Sequence, residues 1–232
     1  PYTESIYVNG ELITNMVHLI IPDGVTHIGT RALSYCDNLT SVTIPSSVTS
    51  IGSWAFYDSN ITSVYISDLA AWCNMESDWS RSDSTKLYLN GSEITGDLVL
   101  PEGIERVSNY AFCGCDQITS VIIPSSVTSI GENAFYSCDH LTSVTLGNSV
   151  TSIGSSAFSY CYKLVELINN SSLNIEKGSY SNGNVAYYAL ELHNGRSKID
   201  NKDGYVFYTY DGVNYLVDYI GTETELTLPE VY

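Results

Sequence analysis

The sequence is poor in basic residues and in charge generally. It holds 9 Lys and Arg against 26 Asp and Glu, which gives a formal net charge of -17 at pH 7, and only 15% of its residues are charged. A strongly negative chain repels other polyanions, so we expect neither nucleic acid nor an anionic membrane as a partner. With so few charges, the surface must be built largely from Ser, Thr, Asn and the 19 Tyr.

Long apolar runs and enzyme motifs are also missing. No stretch approaches the roughly 18 apolar residues that a membrane span requires, and the chain opens on neither Met nor a basic-then-apolar leader, which predicts a processed or trimmed product. No H-E-x-x-H, G-x-S-x-G, Walker or dinucleotide-binding motif is present. The four histidines, at 18, 27, 140 and 193, are scattered. We therefore expect no catalytic residue, no cofactor and no metal ion.

What the sequence does contain is a repeat. The segment 39–60, LTSVTIPSSVTSIGSWAFYDSN, recurs at 23-residue steps within each half of the chain. Its proline column contains Pro22, Pro45, Pro101 and Pro124, with Gly147 in the last copy. Self-similarity at such a period indicates a solenoid. In each copy, inward-facing Val and Ile precede the proline, which ends a strand because it cannot donate to a continuing ladder.

Glycine and phenylalanine columns complete the repeat unit. Glycine at 29, 52, 131 and 154 predicts a sharp turn or a close approach of two backbones. An Ala-Phe pair follows each glycine except in the first coil, which has Ala32-Leu33, and the pair predicts a single helical turn packed on the core. One Phe in each of four coils predicts a buried aromatic spine of Phe56, Phe112, Phe135 and Phe158.

A cysteine column follows the phenylalanines, at Cys36, Cys115, Cys138 and Cys161. Equivalent Cβ atoms of stacked coils should lie one strand spacing apart, about 4.8 Å, which is wider than the roughly 3.5–4.5 Å of a disulfide. We therefore favour a ladder of buried thiols over disulfides and over a metal site. The aspartates that follow three of these thiols, at 37, 116 and 139, are interpreted as turn caps and not as calcium ligands.

The run L-x-x-V-x-I-P-x-x-V-x-x-I-G-x-x-A-F-x-x-C, present at 118–138 and again at 141–161, resembles the repeat of the BspA-like leucine-rich repeat family of bacterial cell-surface proteins. The resemblance covers about two thirds of the chain. It implies an α/β repeat fold: a curved, right-handed leucine-rich-repeat solenoid of mostly short parallel strands with single helical turns. It also implies secretion or surface display, adhesion to host or matrix proteins, and no shared catalytic residue.

The breaks in the repeat predict insertions into one solenoid that spans 1–232. Asn-Gly within a segment of alternating apolar and polar residues predicts hairpins at 6–14 and 87–95. Asp68 should cap a short helix in which Leu69, Trp72 and Cys73 share one face. The residues 184–193 fit helix or strand, whereas 205–220 predict a hairpin around Asp211-Gly212. The remaining predicted units are coils at 16–66 and 96–168, a helix and connector insertion at 67–86, a Tyr-rich insertion at 169–220, and the start of a truncated further coil at 223–232.

Candidate interaction residues come from the outward strand positions and from the insertions. They are Ser41, Thr43, Ser63, Tyr65, Ser120, Ile122, Ser143 and Thr145 on the strand face, and Trp72, Trp79, Tyr208, Tyr210 and Tyr215 in the insertions. For the insertions we favour a structural interpretation, in which the helix covers the side of the solenoid and the Tyr-rich hairpin covers an edge. Only His18, Asp97 and Glu166 titrate on the strand face, at predicted separations of about 14 Å, too far apart for an acid-base pair.

Three functions remain open at this point. The leading hypothesis is a non-enzymatic, secreted or surface-displayed scaffold that binds an extracellular protein through the strand face or the Tyr-rich insertions. A carbohydrate-binding module is the alternative, because Tyr65, Trp72, Trp79 and the Tyr-rich hairpin lie among many hydroxyl and amide side chains. The third is a passive spacer of a larger surface protein. We expect a monomer.

Overall fold

The structure, a computed structural model, describes residues 7–8, 11–12, 16–193, 199–202, 204–210 and 212–221. The predicted turns at Asn9-Gly10 and Asp211 and the predicted further coil at 223–232 lie outside the described residues. Within them, the chain is dominated by strands, with one short α-helix, α1 (Leu69–Asn74), and a 3-10 turn at Asn182–Asn184.

The first strands, in chain order, are β1 (Tyr7–Val8), β2 (Glu11–Leu12), β3 (His18–Ile20), β4 (His27–Ile28), β5 (Ser41–Ile44), β6 (Ser50–Ile51), β7 (Ser63–Ile66), β8 (Glu76–Ser77), β9 (Lys86–Leu89), β10 (Ser92–Glu93) and β11 (Gly96–Val99). They continue with β12 (Arg106–Val107), β13 (Ile118–Ile122), β14 (Ser129–Ile130), β15 (Ser143–Leu146), β16 (Ser152–Ile153), β17 (Glu166–Asn169), β18 (Glu191–His193), β19 (Ile199–Lys202), β20 (Tyr205–Tyr210) and β21 (Val213–Tyr219). A complete coil, one turn of the solenoid, contributes one longer strand and one two-residue strand.

The longer strands form two parallel sheets, and their outward side is called the strand face. In array one, β3, β5, β7 and β9 run parallel and β10 closes the edge antiparallel to β9. In array two, β11, β13, β15, β17 and β18 run parallel. The register pairs residues one period apart, such as Val121 with Val144. The predicted solenoid of parallel strands is confirmed, with about 8 turns.

The two-residue strands form a second ladder in each array, β4–β6–β8 and β12–β14–β16. Helix α1 bridges the gap between them. The Oδ1 atom of Asn74 accepts hydrogen bonds from the backbone N–H groups of Glu105, at 2.9 Å, and Arg106, at 3.3 Å. Inward side chains of both arrays form one apolar cluster that runs from Leu19 to Ala189.

The Ala-Phe segments form successive reverse turns where a helical turn was predicted, and this part of the prediction is corrected. The backbone has positive φ at two columns spaced by 23 residues within each array, at 31, 54, 110, 133 and 156 and at 35, 58, 114, 137 and 160. A right-handed helix requires negative φ throughout. Instead, every second carbonyl of a turn accepts a hydrogen bond from a backbone N–H of the preceding coil. An example is the bond from the Leu33 N–H to the Ala55 carbonyl at 2.7 Å.

The predicted aromatic spine is present. The rings of Phe112, Phe135 and Phe158 are fully buried and stack with centroids 5.1 Å apart at each step. In array one, Phe56 packs instead against Trp79, with ring centroids at 4.4 Å. Trp79 therefore stands where the next coil would place its phenylalanine.

The connector after α1 takes the place of a coil. Its side chains supply hydrogen bonds that the backbone of a coil would otherwise supply. The guanidinium of Arg81 is buried and its Nη2 atom donates to the carbonyls of Ala111, at 3.2 Å, and Cys113, at 2.7 Å. The indole of Trp72 donates to the Ala111 carbonyl as well, at 3.0 Å. In complete coils the equivalent carbonyls accept backbone N–H groups of the preceding coil. Trp72 and Trp79, proposed from sequence as contact residues, are thus core residues that complete the stack.

All six cysteines are buried and carry free thiols. Cys138 Sγ donates to the Phe112 carbonyl at 3.4 Å and Cys161 Sγ to the Phe135 carbonyl at 3.1 Å, so the thiol ladder also links neighbouring coils. Burial raises the pKa of Cys73 to about 12, and burial likewise raises the pKa of Cys113 to about 12. Neither thiol is ionised near neutral pH.

The hairpin at 87–95 is confirmed, since β9 and β10 pair antiparallel around Asn90 and Gly91, both with positive φ. The residues 182–193 continue array two: the Gly183 carbonyl accepts the Phe158 N–H at 2.7 Å, and β18 pairs with β17. The predicted hairpin at 205–220 is confirmed as β20 and β21, and β19 joins it. These three strands form an antiparallel sheet, called here the cover sheet.

Candidate functional site: the strand face of array one

The strand face of array one carries a compact patch of aromatic and hydroxyl side chains. Parallel strands at constant register place its residues in two rows, one running from His18 through Ser41 and Ser63, the other from Thr43 to Tyr65 and beyond. The strand-face patch consists of His18, Ser41, Thr43, Ser63, Tyr65 and Tyr88. His18 is exposed and the other five side chains are partly exposed.

Ring contacts and hydrogen bonds hold this patch in one arrangement. The Tyr65 ring stacks on Tyr88 at 4.8 Å and 20°, and the His18 ring meets Tyr65 edge-on at 5.8 Å. His18 Nδ1 lies 2.6 Å from Ser41 Oγ, and its Nε2 lies 3.2 Å from Thr43 Oγ1. The patch presents a preformed surface, which lowers the entropy lost on binding a partner.

The pair of His18 and Ser41 has the residue types of a nucleophile and its base. A working pair also needs a third group that orients the histidine and donors that stabilise an oxyanion. Both imidazole nitrogens contact hydroxyl groups, and no carboxylate among the described residues hydrogen-bonds to His18. The N–H of Ser41 donates to the Val17 carbonyl, so it is engaged in the ladder. The geometry therefore suits recognition better than acyl transfer.

The strand face of array two is partly hidden by the cover sheet. Asp218 of β21 contacts Lys163 and His140, and the Tyr208 hydroxyl of β20 donates to Glu191 Oε2 at 2.8 Å. Below it, fully buried Glu166 accepts from Ser143 Oγ at 2.9 Å and lies 3.2 Å from His193 Nε2. The prediction that no acid-base pair forms on the strand face considered only His18, Asp97 and Glu166. It is corrected, because the segment 184–193, which fitted helix or strand, ends in β18 and brings His193 beside Glu166. Because Glu166 is buried, we interpret the pair of Glu166 and His193 as a structural contact between β17 and β18.

The predicted contact residues therefore divide by burial. Ser41, Thr43, Ser63 and Tyr65 lie in the strand-face patch; Ser120, Ile122 and Thr145 line a groove of ≈ 240 Å³ beside the cover sheet; and Tyr215 is exposed. Four others are buried and are corrected as contact residues: Trp72, Trp79, Ser143 and Tyr208. Tyr210 ends β20, and its side chain lies outside the described residues.

Sequence reasoning missed Tyr88 and Lys86, which extend the two rows through β9. The signal was available, because Tyr88 follows Tyr65 and Lys86 follows Ser63 by one 23-residue period. It also missed an exposed group of tyrosines on the turns of array two, described below. That group follows no single column, so repeat spacing alone does not reveal it.

Two further searches of the described residues bear on function. No three His, Cys, Asp or Glu side chains there are placed to hold a metal ion. None of the helices in the described part is long and apolar enough to cross a membrane.

The fold and this exposed face define a β-solenoid of stacked repeat coils. The profile of the BspA type leucine rich repeat region matches six copies in residues 11–76 and 85–210. The chain belongs to this family of leucine-rich repeat proteins. No curated protein matches the chain.

Solved structures of bacterial leucine-rich repeat proteins are similar to the chain. A leucine rich cell surface protein of Faecalibacterium prausnitzii is 25% identical, with a TM-score of 0.43, and the match covers 89% of this chain and 55% of that one. A leucine-rich repeat protein of Eubacterium ventriosum is 19% identical, with a TM-score of 0.40, over 78% and 67% of the two chains. A leucine rich repeat protein of T. pallidum is 24% identical, with a TM-score of 0.32, over 77% and 69%. The chain thus spans about half the length of the Faecalibacterium protein.

Proposed function

We propose that this chain is a non-enzymatic binding scaffold, secreted or displayed on a bacterial surface, that binds an extracellular protein through the strand-face patch of array one. Its leucine-rich repeat family and the leucine rich cell surface protein to which it is similar support the proposed secretion or surface display. The observation that carries the proposal is the patch itself: a fixed group of rings and hydroxyls that no other described segment covers, while the matching face of array two is partly covered.

The same geometry favours a protein partner over a sugar. Sugars stack on free, flat ring faces, whereas the Tyr65 ring is stacked on Tyr88 and makes a T-shaped contact with the His18 ring. Tyrosine and histidine with nearby hydroxyls match the composition of protein interfaces, in which a few aromatic residues supply most of the binding energy. Adhesion to a host or matrix protein is the use that we infer for such a surface.

The test is a binding screen of the whole chain on an array of host extracellular and matrix proteins and, in parallel, on a glycan array. A protein hit should weaken at least about tenfold in Tyr65→Ser, about 1.4 kcal/mol. Ile122→Ser is the matched control, because Ile122 occupies the same outward row in array two and is 43% exposed. This variant should bind like the wild type.

Other outcomes overturn the proposal. Glycan hits without protein hits would identify a carbohydrate-binding module. No binding to any protein or to any glycan in the screen would indicate a spacer. A protein hit that Ile122→Ser weakens and Tyr65→Ser does not would move the site to array two.

A further inference from the structure

Six tyrosines form a continuous surface band on the turns of array two, in a region that the strand-face patch does not include. Successive ring centroids lie 4.9, 5.9, 5.4, 4.7 and 4.4 Å apart. The tyrosine band consists, in order of contact, of Tyr136, Tyr160, Tyr162, Tyr188, Tyr187 and Tyr180. Three of them are strongly exposed, Tyr160 at 47%, Tyr162 at 58% and Tyr180 at 71%. Contiguous exposed aromatic surface of this kind marks interaction sites in soluble proteins.

Folding alone does not require aromatic residues here. Tyr160 occupies a column with positive φ, in which the first coil carries Tyr35 and the other coils carry Asp58, Gly114 and Ser137. A bulky side chain in this conformation is disfavoured, by roughly 1–2 kcal/mol. The repeat therefore offers smaller residues that would suit the backbone better. Local strain retained at an exposed residue is common at binding sites.

Charged side chains act near one end of the band. Burial, followed by the negative charge of Asp116, raises the pKa of Asp139, while His140 and Lys163 lower it and Asp83 raises it further. Asp83 also contributes to the raised pKa of Tyr136, whose largest cause is burial. The charge of Asp83 therefore acts at the Tyr136 end of the band, on a chain with a net charge of -17. This field, added to the negative faces of the rings, attracts cations.

Array one contains an internal example of such a contact. Its turns carry a smaller aromatic group, in which Tyr35 meets Tyr57 at 5.7 Å and Tyr57 meets Trp54 at 6.0 Å. The guanidinium of Arg31 lies over the Trp54 ring, 4.4 Å from its centroid. An aromatic surface at this place in the coil therefore accommodates an arginine head group.

We propose that the tyrosine band is a second docking surface, for an arginine- or lysine-bearing segment of a partner protein. The cationic heads lie over the exposed rings of Tyr160 and Tyr162. Four of the five ring contacts in the band are inclined at 58° to 82°. Such inclined rings offer faces and edges around a compact cation and do not form the flat platform on which a sugar stacks.

The test measures binding of a fluorescent Gly-Arg repeat peptide to the whole chain by anisotropy at low salt. The wild type should bind this peptide and should bind its citrulline analogue, which has the same shape without charge, far more weakly. The double variant Tyr160→Ser with Tyr162→Ser should lose at least about fivefold in affinity, about 1 kcal/mol. Because tyrosine and serine are both neutral, the long-range attraction of the chain is unchanged. The variant with Phe at both positions keeps the rings and should retain the affinity.

The matched control is Tyr35→Ser with Tyr57→Ser, which removes two exposed tyrosines from the turns of array one. It should bind the peptide like the wild type, and so should Tyr65→Ser of the strand-face patch, so that the two proposed surfaces are tested separately. Equal losses in the band variant and in the array-one control would show nonspecific attraction and overturn the proposal. So would loss of binding to neutral oligosaccharides in the band variant with peptide affinity unchanged, which would identify a glycan site. Near-ultraviolet circular dichroism and a cooperative unfolding transition establish that each variant is folded.

Discussion

The glycine column shows how one residue depends on its neighbour in the stack. A Cβ at Gly131 would lie 2.5 Å from the backbone nitrogen of Asn109, and one at Gly154 would lie 2.5 Å from that of Glu132. At Gly29, in the first coil, no atom of the described residues lies within 4 Å of the same position. The requirement for glycine therefore arises from the preceding coil and not from the conformation of the turn.

This contrast predicts opposite outcomes for two equivalent substitutions. Gly131→Ala should reduce the free energy of unfolding by about 2 kcal/mol or more, because the backbone of the preceding coil would have to move. Gly29→Ala should be neutral or stabilising by up to about 1 kcal/mol, because alanine restricts the unfolded chain. Urea denaturation of both variants measures the difference. Equal losses would show that the turn itself requires glycine in every coil.

At the scale of elements, helix α1 and its connector replace a coil by different means. Trp79 supplies a ring for the aromatic spine, and Arg81 and Trp72 supply donors to turn carbonyls of the next coil. Asp68 caps α1, since its Oδ1 accepts the Ala71 N–H at 3.0 Å. A sequence that departs from the repeat thus preserves the hydrogen bonds and the packing that the repeat would provide.

Arg81→Met tests this replacement. It leaves the carbonyls of Cys113 and Thr85 without the donor that Arg81 now supplies, and it should reduce the free energy of unfolding by about 2–4 kcal/mol. Arg106→Met is the control, because within the described part of the chain the exposed Arg106 side chain forms only a surface ion pair, with Glu76 at 3.6 Å, and its loss should change stability by less than about 1 kcal/mol. Thermal or urea unfolding compares the two. If both variants unfolded at the same midpoint, the Arg81 contacts would contribute nothing to joining the arrays.

At the scale of the whole molecule, both arrays share one apolar core, which contains the Cys73 thiol near the junction, and the buried Cys113 thiol donates to the Arg81 carbonyl at 3.6 Å. Cys73 belongs to α1 and Cys113 to the first coil of array two, and burial raises the pKa of both to about 12 from a reference of 9.0. A raised pKa means that the folded state holds its proton where the unfolded chain has lost it. Their contribution to stability is complete below about pH 9 and is lost as pH rises from 9 to 12.

The stability of the chain should therefore fall on the alkaline side. Each of these two thiols should contribute a slope of about 1.4 kcal/mol per pH unit above pH 9. Urea unfolding at a series of pH values from 7 to 10.5, under reducing conditions, measures this slope. The double variant Cys73→Ala with Cys113→Ala should be less stable at pH 7 but should show a shallower decline. A slope identical to that of the wild type would mean that these thiols ionise as readily in the folded protein as in the unfolded chain.

Periodicity determined much of this protein from the sequence alone. The 23-residue spacing predicted the parallel registers, the Phe spine, the buried cysteine column and the rows that include Ser41, Thr43 and Tyr65. Side chains at equivalent positions of stacked strands must lie side by side, so position in the repeat is enough to place them. The same spacing also places Tyr88 beside Tyr65, one period further along the chain.

Tertiary structure alone decided what the breaks in the repeat do. Nothing in the local sequence shows that Arg81 donates to carbonyls 30 and 32 residues away, that Tyr208 is buried against Glu191, or that six tyrosines from separate turns meet in one band. These contacts join residues that no period relates, and they depend on how the connector and the cover sheet pack on the arrays. The strand-face patch was therefore predictable as a surface, whereas its being the less covered of the two strand faces was decided only by the folded chain.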